Sequence, residues 1–239
     1  MNFHPTGPFG PIPCFRADPA LASEPPPVVL VLQEIFGVNP YIRGVCAELA
    51  GAGFTAVAID LFHDHTPGFE VGYDPAGVTA GRAQIATLDL GRLHAELESL
   101  VHTLRTDIAE GGRVAVLGFC YGGLLAWETH GLHGTDAAVA YYGRAHSPSL
   151  GGVPPIERTS TMKGPILAHF ASNDASIPAD AVGACAAALV KGAARGTIEV
   201  WPRTQHGFHC WDRGAFDPFA ASRSWAATLA FFRANLKGS

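Results

Sequence analysis

Charge is scarce in this 239-residue chain: Asp, Glu, Lys and Arg make up 15% of it, against 48% apolar residues. That balance excludes a disordered chain, which lacks the apolar surface needed to offset its conformational entropy. Basic excess is also missing, with a net charge of −5 and no long run of one sign. The footprint of a nucleic-acid binder is therefore absent, and no such partner is expected. No apolar run approaches the ~20 residues needed to span a bilayer. No basic region followed by an apolar stretch opens the chain, so neither a membrane partner nor a secretory leader is expected. The five cysteines, Cys14, Cys46, Cys120, Cys185 and Cys210, are odd in number. Their spacings fit neither a zinc site nor a CxxC redox motif, which points to a reducing, cytoplasmic compartment. A chain of this length buries enough apolar surface to need no disulfide or metal staple, and no cofactor is expected.

What is present is an alternation. Residues 1–27 are rich in Pro and Gly and end in Pro25-Pro26-Pro27, reading as an irregular arm. From residue 28 to 239 the chain reads as one domain. Continuous apolar runs occur at Val28–Leu32, Thr55–Ile59, Val114–Phe119, Ala137–Tyr142, Ile166–Phe170 and Thr197–Trp201. Runs without polar alternation are expected for strands covered on both faces. Between them the spacing predicts helices near 40–52, 79–107, 121–132, 179–191 and 217–236, with Pro178 and Pro218 suited to first turns. The fold class is α/β, a mostly parallel doubly wound sheet with helices on both faces. In such sheets the site lies beyond the carboxyl ends of the strands.

One strand end carries a specific signal. Gly118-Phe119-Cys120-Tyr121-Gly122-Gly123 follows the third run and precedes a helical pattern. This is the nucleophile elbow of the α/β-hydrolase fold with cysteine in place of serine. The strand-to-helix turn is tight, and side chains at Gly118 or Gly122 would collide with neighbouring backbone. The helix N-terminus that follows aims free N–H groups and a positive dipole at the sulfur, which favours a thiolate. The other four cysteines read as buried apolar residues.

The fold's triad runs in the chain order nucleophile, acid, histidine. Asp174, in a turn after the fifth run, and His206, in a loop after the sixth, satisfy that order. His206 is the candidate general base and Asp174 the group that orients it. Asp174 could otherwise be a turn or cap aspartate, and Asp180 is a weaker rival inside the next helix. The oxyanion donors are expected to be the backbone N–H of Tyr121 and that of Ile35, in the loop after the first run. Glu34, in the same loop, is either a solvated carboxylate or a site residue. His63-Asp64-His65 provides too few ligands, too close in sequence, for a catalytic metal site, and no metal is expected.

Taken together, Gln33-Glu34-Ile35-Phe36-Gly37-Val38-Asn39, the cysteine elbow, Ala138-Val139-Ala140-Tyr141-Tyr142-Gly143 and Gln205-His206-Gly207-Phe208 resemble the dienelactone hydrolase family over residues 28–236. The resemblance implies hydrolysis of an enol lactone or related ester through Cys120, His206 and Asp174. It also implies that Glu34 pairs with the resting thiol and takes its proton when substrate binds, and that Tyr141 lines the substrate pocket. Phe36, Phe208 and Trp211 add an aromatic character to the expected pocket. The family's carboxylate-binding arginines are less well matched. Cys210 stands four residues beyond His206, where one is expected, and Arg82 lies about one helical turn out of register with the other. Arg213 is the candidate to substitute in space, since an arginine fork is the natural carboxylate binder. The expected partner is a small lactone or ester, and the expected state a monomer or small homo-oligomer. A broader esterase, a lactonase without carboxylate preference, and a non-catalytic or redox-sensing relative remain as alternatives.

Overall fold

The computed structural model describes residues 1–21, 24–149 and 152–236. A hairpin of β1 (Thr6–Gly7) and β2 (Gly10–Pro11) precedes β3 (Cys14–Ala17). Then come β4 (Val28–Leu32), α1 (Pro40–Gly51), β5 (Thr55–Ile59), α2 (Pro75–Thr87), α3 (Leu90–Thr103) and β6 (Val114–Phe119). The second half holds α4 (Tyr121–His133), β7 (Ala137–Tyr141), β8 (Ile166–Ala171), α5 (Ala179–Lys191), β9 (Gly196–Trp201) and α6 (Pro218–Leu236). The sheet order is β3-β5-β4-β6-β7-β8-β9, with every neighbour parallel except the β3–β5 pair.

The continuous apolar runs are continuous because both sheet faces are covered: each residue of β4, β5, β6, β7 and β8 is buried. Ring contacts Tyr41–Phe119, His209–Trp225 and Phe54–Phe232 bring α1 and α6 against the sheet. Helix α4 packs on β6 and β7, and α3 packs on α4. β9 is the edge strand and is largely open to solvent.

Two expectations need correction. Residues 1–27 are not simply an irregular arm, because Cys14–Ala17 joins the sheet by antiparallel pairing with β5. Helix 79–107 is two helices: Leu88 turns extended, and the Asp89 side chain accepts from the Arg92 N–H to cap a new start. The first also begins earlier, where Asp74 caps Pro75 onward.

The strand order reverses between β4 and β6, which are parallel neighbours although β5 and the helices around it separate them in sequence. A crevice opens at such a point. The register pairs Leu32 with Gly118, so the two residues beyond each, Glu34 and Cys120, leave the sheet side by side.

Candidate active site

The elbow's glycines are fixed by backbone rather than by side chains. A Cβ on Gly118 would lie 1.9 Å from the Gly122 carbonyl oxygen. On Gly122 it would lie 2.1 Å from the Leu32 oxygen and 2.5 Å from that of Gln33. The start of α4 thus presses against both its own strand and the loop that carries Glu34. Cys120 pays for this closeness with a left-handed φ of 55°, a conformation that costs a non-glycine residue of order 1–3 kcal/mol and persists only where the surroundings impose it. Its N–H donates to the Tyr141 carbonyl at 3.0 Å. Tyr121 is the first residue of α4, so its N–H has no acceptor within the helix. Ile35 is half-buried, with its carbonyl packed against Gly81 of α2.

Cys120 is half-buried, whereas the other four cysteines are buried. Burial pushes the Cys46, Cys185 and Cys210 thiols up to about 12, and Cys14 higher still. Those four are inert thiols at neutral pH.

His206 Nδ1 and Asp174 Oδ2 are 2.6 Å apart. The other oxygen of Asp174 accepts from the Ser176 hydroxyl at 2.6 Å and from the Ser176 N–H at 2.8 Å. Burial works against the Asp174 charge, yet these bonds hold its pKa below the usual carboxylate value. Cys120 lies near enough to the imidazole to influence its protonation. Burial alone would lower the His206 pKa; the neighbouring Cys120 and Asp174 outweigh it and push the ring up to about 10. Cys120, His206 and Asp174 are therefore brought together, with His206 hydrogen-bonded to Asp174 and its protonation influenced by Cys120.

Glu34 stands differently from the expectation of a thiol partner. It is 1% exposed, and its Oε1 accepts from Arg213 Nη1 at 2.9 Å. A buried carboxylate is held better by a fixed guanidinium charge than by a neutral thiol. Burial nevertheless keeps its pKa above the usual value, with Arg213 and His206 opposing. The Arg213 guanidinium lies 5.6 Å from the Phe36 ring and 5.8 Å from that of Tyr73, within cation–π range of both. Tyr73 accepts a 2.8 Å hydrogen bond from the Asn39 amide. A Cβ on Gly207 would strike the Arg213 guanidinium, so the glycine after His206 makes room for it.

The remaining expected residues separate. Tyr141 does not line the site: it is fully buried, with its hydroxyl on Thr228 of α6 at 2.7 Å. Its neighbour Tyr142, at a left-handed φ of 40°, instead sets its ring 5.0 Å from that of His206. Phe208 is buried against Tyr142 and Trp201. Trp211, 40% exposed, packs on Tyr41 and against Gly44 of α1. Arg82 is exposed on α2, and the Glu34 carboxylate is engaged by Arg213 instead. His63 is tied to Glu96 at 3.1 Å and Asp64 to Arg92 at 2.8 Å. Among the described residues no three His, Cys, Asp or Glu side chains are grouped to hold a metal. A separate cleft of about 960 Å³, among Arg105, Gly134 and Lys163 at the far end of α4, shares no residue with this site. Among the described residues no helix is long and apolar enough to cross a membrane.

Ser176, Tyr73 and Tyr142 were not singled out by sequence. Ser176 had a local signal, standing two residues after Asp174. The other two had none, because Tyr73 comes from a distant loop and Tyr142 turns by a backbone torsion.

A hydrolase elbow, an acid and a histidine in order on such a sheet invite comparison with known proteins. The sequence model of the dienelactone hydrolase family matches residues 12–236. The chain belongs to the dienelactone hydrolase family. A Synechocystis sp. relative that carries a provisional carboxymethylenebutenolidase name is 32% identical over 226 residues, covering 93% of this chain and 92% of its own. The carboxymethylenebutenolidase of Pseudomonas sp. strain P51 is 38% identical over 163 residues, 65% of this chain and 63% of its own. A crystal structure from Klebsiella pneumoniae, provisionally assigned as a dienelactone hydrolase, superposes with a TM-score of 0.83 at 29% identity, covering 93% and 92% of the two chains. The family places this chain among α/β-hydrolases of the carboxymethylenebutenolidase type. Its match also begins at residue 12, so the family's domain includes β3.

Proposed function

We propose that this dienelactone hydrolase relative cleaves enol lactones or related carboxylic esters with Cys120 as nucleophile. The observation that carries the reading is His206, held by Asp174 at 2.6 Å and placed near the strained elbow residue Cys120, which raises its pKa. In the reaction the Cys120 thiolate attacks the carbonyl carbon. The oxyanion that forms is met by the N–H groups of Tyr121 and Ile35, and its collapse breaks the ester C–O bond. His206 gives its proton to the leaving oxygen, and an acyl-thioester remains on Cys120. A water molecule loses its proton to His206 and attacks the thioester, which releases the carboxylic acid and restores the thiolate. Asp174 keeps Nδ1 protonated and pointed away from the sulfur throughout.

Arg213 is the carboxylate-binding group in this reading, in place of an arginine at position 210. When a substrate carboxylate engages the guanidinium, it competes with Glu34 for it. The released Glu34 charge, buried beside the site, then serves as a second acceptor for the thiol proton. The five unpaired cysteines suit a reducing, cytoplasmic setting.

The test is Cys120→Ala with a conjugated enol lactone followed by its absorbance. Turnover is expected to fall to background, and the native enzyme mixed with a slow ester should carry an acyl mass on Cys120. Unchanged turnover by the variant overturns the mechanism. Equal rates on lactones with and without a carboxylate would overturn the role given to Arg213 and favour a broader lactonase.

A further inference from the structure

His206 stands on the loop that follows β9, and β9 is an exposed edge strand. Edge placement alone gives poor control of a base that must stay within a few tenths of an ångström of its partner. Yet the loop sinks inward directly after the base: Phe208, His209 and Cys210 are all buried. His209 reaches farthest. Its Nδ1 shares a 2.8 Å hydrogen bond with the Tyr41 hydroxyl of α1. Its ring lies 5.5 Å from Phe119, the residue before Cys120, 4.8 Å from Tyr141 of β7 and 5.5 Å from Trp225 of α6. One imidazole thus touches the elbow strand, its neighbour and both helices on that face.

We propose that Tyr41 and His209 are positioning residues, a buried tether that sets where His206 stands relative to Cys120 and Asp174. The inference rests on the reading of His206 as the base. Phe119 directly precedes Cys120, and His209 lies three residues after the base, so a fixed His209–Phe119 contact fixes the register of loop on strand. The hydrogen bond to α1 stops the ring from sliding along that strand. Burial, with His169 nearby, drops the His209 pKa to about 3, so the tether keeps one protonation state across the working range. It is a peg and not a second base.

The test uses Tyr41→Phe, His209→Phe and the double variant, with two readouts. The first is the titration of the His206 imidazole in histidine-labelled enzyme, assigned with His206→Asn. Groups that face this ring are Asp174 and Ser176 from the loop after β8, Cys120 from β6, Tyr142 from β7 and Glu34 from the loop after β4. The second is kcat against KM. Each single variant should lower the His206 titration by about one pH unit or more and kcat by about ten- to hundredfold, as expected for a loosened base, with KM nearly unchanged. The two changes should not add, because they break one bond. The double variant removes both partners of that hydrogen bond, so neither is left orphaned, and it should regain thermal stability. It should not regain the titration or kcat. If the double variant regains all three, or if neither single variant moves the titration, the tether is packing only and the proposal falls. The titration needs no substrate, so its outcome is separate from that of Cys120→Ala, which decides the lactone reading.

Discussion

Removing the guanidinium from the Glu34–Arg213 pair tests the electrostatics of the site most directly. Arg213→Met keeps an apolar stem against Phe36 and Tyr73 while deleting the charge. Glu34 is then a carboxylate 1% exposed with its main counter-charge gone. Breaking a buried pair in this way costs about 3–5 kcal/mol. The carboxylate can escape that cost by taking up a proton, and burial already biases it to do so, with Arg213 the foremost opposing influence. The sign follows from linkage. A carboxyl whose pKa is raised on folding binds protons more readily in the folded chain than in the unfolded one. Stability therefore falls as pH rises from the unfolded value of 4.5 toward the folded one. Each unit in that window is worth about 1.4 kcal/mol. Urea unfolding followed by tryptophan fluorescence at pH 5, 6.5 and 8 reads the effect. The variant should lose about 3 kcal/mol against wild type at pH 8 and about 1 kcal/mol or less at pH 5. Glu34→Gln combined with Arg213→Met should remove the slope. An equal loss at pH 5 and pH 8 would mean that the stacked stem, not the charge, is what Arg213 contributes.

Two further outcomes follow from the same structure. Gly122→Ala places a Cβ against the backbone oxygens of Leu32 and Gln33, neither of which can swing aside. The elbow and the Glu34 loop must part, at a cost of about 1–3 kcal/mol and about a hundredfold in kcat; thermal melts and steady-state rates check this, and wild-type activity would contradict it. Glu128 on α4 is fully buried, and burial pushes it up to about 7 despite Arg158 at 3.0 Å. The folded chain thus holds a proton between pH 4.5 and about 7 that the unfolded chain has lost. Stability should decline across that window by about 3 kcal/mol, at about 1.4 kcal/mol per unit. Glu128→Gln should flatten the decline, and an unchanged slope in pH-dependent melts would count against it.

The parts of this site that depend on backbone geometry were legible in the sequence. Strands covered on both faces must be continuously apolar, which made β4 to β8 readable. The elbow must approach its own strand and the neighbouring loop within van der Waals distance, which made Gly118 and Gly122 obligatory and Cys120 recognisable. The break between α2 and α3 was also written locally, in the Asp89 cap, but the apolar spacing of residues 79–107 runs across it. Cys14–Ala17 could not be read as a strand. Four residues carry no periodicity, and they are extended because β5 offers an open edge to pair with. Residues chosen by side-chain company were hidden for a related reason. Strand alternation alone cannot decide between Tyr141 and Tyr142, because a left-handed φ at Tyr142 re-aims the ring toward His206. Arg213 lies on the same loop as the base, but nothing in its neighbours says that it folds back onto Glu34, 179 positions earlier. The partner of Glu34 therefore had to be found in three dimensions. That partner changes the meaning of the carboxylate, which is held by an arginine and, under the mechanism proposed above, becomes available to the thiol only when something else engages that arginine. A substrate carboxylate has the right charge and shape to do so, and this ties the choice of ester to the moment at which Cys120 is activated.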